Sequence, residues 1–134
     1  MKALIASACL VLVMVSFSFS QSDSSAKPGS SLITVDSMAF AAGIDARSPV
    51  GIATEFESTT EKVSCWTRVS SSQGPVSVKH VWYKDDNKVF ELPLTLNSQS
   101  GRLWSTKSVT TGNWRVDVVD DAGNVVTFGS FVVK

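Results

Sequence analysis

With one histidine, one tyrosine and two cysteines in 134 residues, this sequence is short of the side chains that most often do chemistry. A metal centre needs several imidazole, thiolate or carboxylate ligands at short spacings, and His80 has no Cys or His cluster around it. No metal and no cofactor are expected. Cys9 falls in the apolar run at the start of the chain, so Cys65 stands alone in the remainder and no intrachain disulfide is expected. Charge is sparse and balanced, with 12 Lys and Arg against 12 Asp and Glu. No basic face points to nucleic acid, and no charge block points to anionic lipid. Apolar residues at the helical period are missing beyond the first twenty positions. The strand-to-helix turn that exposes a nucleophilic serine is missing too, so the many serines carry no triad signal.

The single long hydrophobic run opens the chain. Lys2 gives a short positive region, residues 3–17 are almost unbroken apolar sequence, and Ser18-Phe19-Ser20 sets small residues before Gln21. These features predict a secretory signal peptide over 1–20. The run is short of the roughly twenty apolar residues that span a bilayer, so no integral span is expected once it is cleaved; an uncleaved N-terminal anchor is the alternative. A lipoprotein signal at Cys9 fits poorly, because most of the run follows that cysteine. Export to the periplasm or beyond is the expected destination. Residues 21–31 (QSDSSAKPGSS) are a flexible Ser-rich tether, and residues 32–134 form one domain.

Within that domain the dominant period is two. In residues 61–69, Val63, Cys65, Thr67 and Val69 alternate with Lys62, Ser64, Trp66 and Arg68, and the first set is the core face. In 76–84, Val76, Val78, His80 and Trp82 share a face. In 89–96, Pro93 has no N–H for a ladder and marks an edge strand. In 102–109, Arg102, Trp104 and Thr106 alternate against Leu103, Ser105 and Lys107. The last stretch, 112–134, is a hairpin that turns at 120–124, where Gly123 and Asn124 tolerate positive φ. A first strand at 32–42 with Ile33, Val35 and Phe40, followed by a loop at 43–50, completes the set. About seven strands with turns every eight to twelve residues predict an all-β, immunoglobulin-like antiparallel sandwich, with a small barrel as the alternative. Immunoglobulin-like domains carry a cysteine on the second strand, a tryptophan on the third and a second cysteine on the sixth. Cys65 and Trp82 fall in that order, and Val116 holds the place of the second cysteine. The expected core is Cys65, His80, Trp82, Trp114, Val116 and Phe131, with Cys65 a small buried hydrophobe.

Four ordered motifs carry a resemblance. They are Phe40-x-x-Gly-Ile-x-x-Arg-x-Pro, Val78-x-His-x-Trp-Tyr, Arg102-x-Trp-Ser-x-Lys, and Gly112-x-Trp-x-Val-x-Val-x-Asp-x-x-Gly with a closing Phe131-Val132-Val133. Over about residues 35–133 the chain resembles the bacterial domain-of-unknown-function family 2914. Ser48 stands where that family usually has an acid. The resemblance implies an extracytoplasmic or membrane-tethered β-domain and brings no reaction with it.

Three functions are weighed. The first is a non-enzymatic binding module of the cell envelope, taking a protein or glycan through aromatic and cationic residues on an outer sheet face. The candidate residues are Trp104, Arg102 and Lys107, then Arg47 and Trp66. The second is a structural part of an envelope assembly, contacting its partner through the edge with Pro93 or the edge at 125–133. The third is a small hydrolase or thiol enzyme, in which His80 would activate Cys65 or a serine.

Overall fold

The computed structural model describes residues 33–73 and 75–134. The predicted signal peptide (1–20) and tether (21–31) lie outside the described residues. Among the described residues nine strands follow in order: β1 (Ile33–Asp45), β2 (Ser48–Ile52), β3 (Glu55–Phe56), β4 (Lys62–Ser71), β5 (Val76–Lys84), β6 (Asn87–Leu96), β7 (Ser100–Ser108), β8 (Gly112–Val119) and β9 (Val125–Val133). They form two sheets, β2-β1-β4-β7 and β3-β9-β8-β5-β6, packed face to face. With β1, β4 and β7 as A, B and E, and β5, β8 and β9 as C, F and G, the order is that of an immunoglobulin-like sandwich. β6 stays beside β5 as an added strand of the C-F-G sheet, and the chain then crosses directly to β7.

The all-β sandwich is as expected, and two of its details differ. The seven strands are nine, because the presumed loop at 43–50 continues β1 to Asp45 and returns as β2, while Glu55–Phe56 adds a short strand. The architecture is also not wholly antiparallel: β3 pairs parallel to β9, Glu55 with Val132 and Phe56 with Val133. The hairpin was hidden because its two-residue turn, Ala46-Arg47, contains neither Gly nor Asn, yet both residues hold positive φ (52° and 66°).

Bulges reconcile the side-chain pattern with the register. Ile33 and Val35 are odd-numbered and Met38 and Phe40 even-numbered, yet all four are buried or half-buried against the core. The β1–β4 register shifts between Val35 and Ser37, so Asp36 is an extra residue; one inserted residue turns every later side chain to the other face. Pro93 lies on β6, at the edge of its sheet, where its missing N–H leaves no ladder bond unmade.

The core divides into two apolar clusters. One gathers Phe40, Phe56, Val63, Cys65, Trp82, Val109, Trp114, Val116, Phe131 and Val133. Here the rings of Trp114 and Phe131 stack at 5.9 Å, and Trp82 meets Trp114 edge-on at 6.3 Å. The other holds Ile33, Val69, Val78, Leu96 and Val118. Gly129 lets the sheets close: a Cβ there would lie 2.9 Å from the Phe40 ring. Between the clusters, Thr67, His80 and Ser105 form a buried polar layer.

Candidate functional site: an arginine cleft on an outer face

The reactive groups foreseen in the sequence are both inside. His80 is fully buried, and its surroundings fix its tautomer. The Trp82 indole can only donate, and its Nε1 donates to Ser105 Oγ at 3.0 Å. Ser105 Oγ also lies 2.7 Å from His80 Nδ1, to which it donates because the proton of the neutral ring sits on Nε2. On the other side the Thr67 hydroxyl donates to the Leu103 carbonyl at 2.8 Å, so His80 Nε2–H donates to Thr67 Oγ1 at 3.2 Å. The ring is neutral with both nitrogens used, and burial lowers its pKa to about 4. Cys65 lies in the larger apolar cluster, and burial pushes its thiol pKa well above the ordinary value. A buried thiol held protonated beside apolar side chains is a poor nucleophile.

Polar and aromatic chemistry concentrates instead on the outer face of the β2-β1-β4-β7 sheet. The β4–β7 register stacks four cross-strand pairs there: Ser64 with Thr106, Trp66 with Trp104, Arg68 with Arg102, and Ser70 with Ser100. Ser64 Oγ and Thr106 Oγ1 are 2.8 Å apart. Beyond Ala41 the pairing of β1 with β4 ends, and the β1–β2 hairpin brings its tip over the sheet. The Arg47 carbonyl accepts a hydrogen bond from Trp66 Nε1 at 3.0 Å. A cleft of about 340 Å³ opens beside that tip, lined by Arg47, Arg68, Ser100, Gly101 and Arg102. Gly101 seats the cleft floor against the core, since a Cβ on it would meet Leu96 Cδ1 at 2.9 Å.

Among the described residues, no carboxylate lies within 4.0 Å of the Arg47, Arg68 or Arg102 guanidinium groups. The opposite outer face differs. There Arg115 is 3.0 Å from Asp117, 3.8 Å from Asp86, and 4.1 Å over the Tyr83 ring. One sheet thus carries a neutralised arginine and the other a group of three without counter-ions.

The structure sorts the candidate residues. Arg47 and Arg102 come together in the cleft, and half-buried Trp104 stands one pair away. Trp66 is only 9% exposed and its indole bonds to the hairpin tip, so it offers no open ring. Lys107 does not belong with this group. It shares the inward parity of Leu103 and Ser105, and its ammonium lies 5.9 Å from the Phe90 ring. Arg68 was the residue missed. Its alternation with Trp66 put it on the right face, but only the β4–β7 register sets it opposite Arg102. Among the described residues no group of three or more His, Cys, Asp or Glu is placed to hold a metal ion, and no helix is long and apolar enough to cross a membrane.

Residues 75–133 match the family model described as "Protein of unknown function (DUF2914)". Over that segment the chain is similar to DUF2914. The matched segment spans β5 to β9, with His80, Trp82, Arg102, Trp104 and Trp114 inside it. The motif at 40–49 lies outside the DUF2914 match, as do Arg47 and Arg68, so the cleft joins one arginine of the matched segment to one from the β1–β2 turn and one from β4. No curated protein matches the chain.

Proposed function

We propose that this protein is an exported, non-enzymatic binding module of the cell envelope, and that it binds through the outer face of the β2-β1-β4-β7 sheet. One observation carries this reading: Arg47, Arg68 and Arg102 line a single cleft and have no carboxylate partner among the described residues. Guanidinium groups present planar forks of donors suited to anionic oxygens, and Trp104 adds a half-buried ring beside them. The apolar run of residues 1–20 supports export. The saturated, buried state of His80 and the buried thiol of Cys65 support a role without covalent chemistry. The partner is a protein or glycan of the envelope that carries negative charge.

A second reading rests on a different surface. β3 covers only the end of β9, at Val132 and Val133. Upstream, Val125 and Phe128 are exposed, and a groove of about 310 Å³ lies alongside, lined in part by Met38, Phe40, Ile52 and Phe128. A partner strand could add to this edge, making the protein a structural part of an assembly. Affinity capture from the native envelope separates the two. Loss of the captured component on Arg68→Gln/Arg102→Gln, with Phe128→Ser capturing normally, is the expected result. The reverse pattern would favour the edge.

A further inference from the structure

We propose that the arginine cleft is a site for a phosphate monoester. This deepens the reading above and rests on it. The first ground is charge and donor count. Three arginines line one cleft, together with Ser100. A carboxylate brings one negative charge and two oxygens. A phosphate monoester brings a charge near −2 and three terminal oxygens, which suits three forked donors. The cleft, at about 340 Å³, falls at the small end of ligand sites, roughly 300–1,000 Å³. It accepts a phosphate with a small attached group.

The second ground is independent of the charge count: local stability is sacrificed at this place twice. Arg68 stands directly opposite Arg102, and like charges across a strand pair destabilise a sheet. Arg47 itself sits in the left-handed region at φ 66°, after Ala46 at 52°, and non-glycine residues are strained there. The other turn of this kind, Asp85-Asp86 (49° and 70°), uses residues that tolerate that conformation, and Asp85 Oδ1 accepts a hydrogen bond from the Asn113 N–H at 3.0 Å. Among the described residues the Arg47 side chain makes no such bond. The bond from Trp66 to the Arg47 carbonyl ties this turn to the sheet, and the turn brings a third arginine to the cleft that Arg68 and Arg102 line. Strain that persists against propensity marks places where function sets the geometry.

The test is calorimetric titration at constant ionic strength, with inorganic phosphate, glucose 6-phosphate, acetate and glucuronate as probes. Vesicles with and without phosphatidic acid form a further arm. The expected result is saturable binding of inorganic phosphate and of at least one of the two esters. Acetate and glucuronate should bind about tenfold or more weakly. The glucose 6-phosphate and phosphatidic acid arms distinguish a saccharide source from a lipid one. Arg68→Gln/Arg102→Gln should lose the binding, and Arg115→Gln on the opposite sheet should keep it. Circular dichroism establishes that each variant is folded, and Arg68→Lys, which keeps the charge, covers the case of a misfolded double variant: it should bind more weakly than the wild type. Equal binding of acetate or glucuronate would overturn the phosphate assignment while leaving the envelope-binding reading intact. No binding of any probe, with envelope capture still lost in the arginine variant, would do the same. Phosphate binding unaffected by the arginine changes would overturn the site.

Discussion

Arg68 and Arg102 face each other across the β4–β7 ladder, with no carboxylate near either among the described residues. A sheet under selection for stability alone would have an ion pair at that position. Arg68→Glu therefore makes a better sheet and a worse protein. It should raise the unfolding free energy by roughly 0.5 kcal/mol, the scale of a cross-strand charge pair, seen as a higher urea midpoint, while abolishing envelope capture. Urea titration and capture on the same preparation check both halves.

The hairpin tip allows a parallel test. Ala46→Asn with Arg47→Gly installs the residues that a two-residue turn with positive φ prefers. Relief of two left-handed non-glycine residues is worth about 1 kcal/mol or more, so thermal stability should rise. Removing the third guanidinium should weaken binding without disturbing β4 or β7. Ala46→Asn alone, which eases the turn and keeps the Arg47 guanidinium, separates stiffening of the turn from loss of charge.

His80 gives the domain a built-in acid sensitivity. Its ring is neutral in the fold with a pKa near 4, lowered from 6.5 by burial. Between those values the unfolded chain binds a proton that the folded chain does not, so stability falls as pH drops from about 6.5 towards 4 and is flat above. The loss from this one group amounts to about 3 kcal/mol. Urea midpoints measured across that range should show the slope. His80→Gln, which can still accept from Ser105 and donate to Thr67, should flatten it.

Cys65 should behave as part of the core. A bulky thiol reagent should label the native protein no faster than the domain unfolds, and at once in denaturant. Rapid native labelling would mean that the β4 face opens, contrary to its burial.

The sequence exposes the sandwich because most of its strands alternate cleanly, as in 61–69 and 112–119. Where a bulge intervenes, alternation fails: Ile33 and Val35 cannot share a face with Phe40 until Asp36 is counted as extra. The Ala46-Arg47 turn left no mark, because its positive φ is imposed by contacts such as the Trp66 indole and not by its own residue types. The candidate site was half legible. Arg47, Arg102 and Trp104 were in view, and alternation already separated Lys107 from Trp104. Arg68 was hidden because which residue stands across from Arg102 is a matter of register, and register is settled by the whole core.

Chemical-shift mapping of the isotope-labelled protein tests most directly which face does the binding. The component captured from the native envelope is titrated in while backbone amide and indole N–H signals are followed. Binding at the cleft predicts shifts confined to residues 46–48, 66–70 and 100–104, led by the Trp66 indole N–H that is bonded to the Arg47 carbonyl. Shifts centred on 125–130, with the Trp66 indole unmoved, would contradict it.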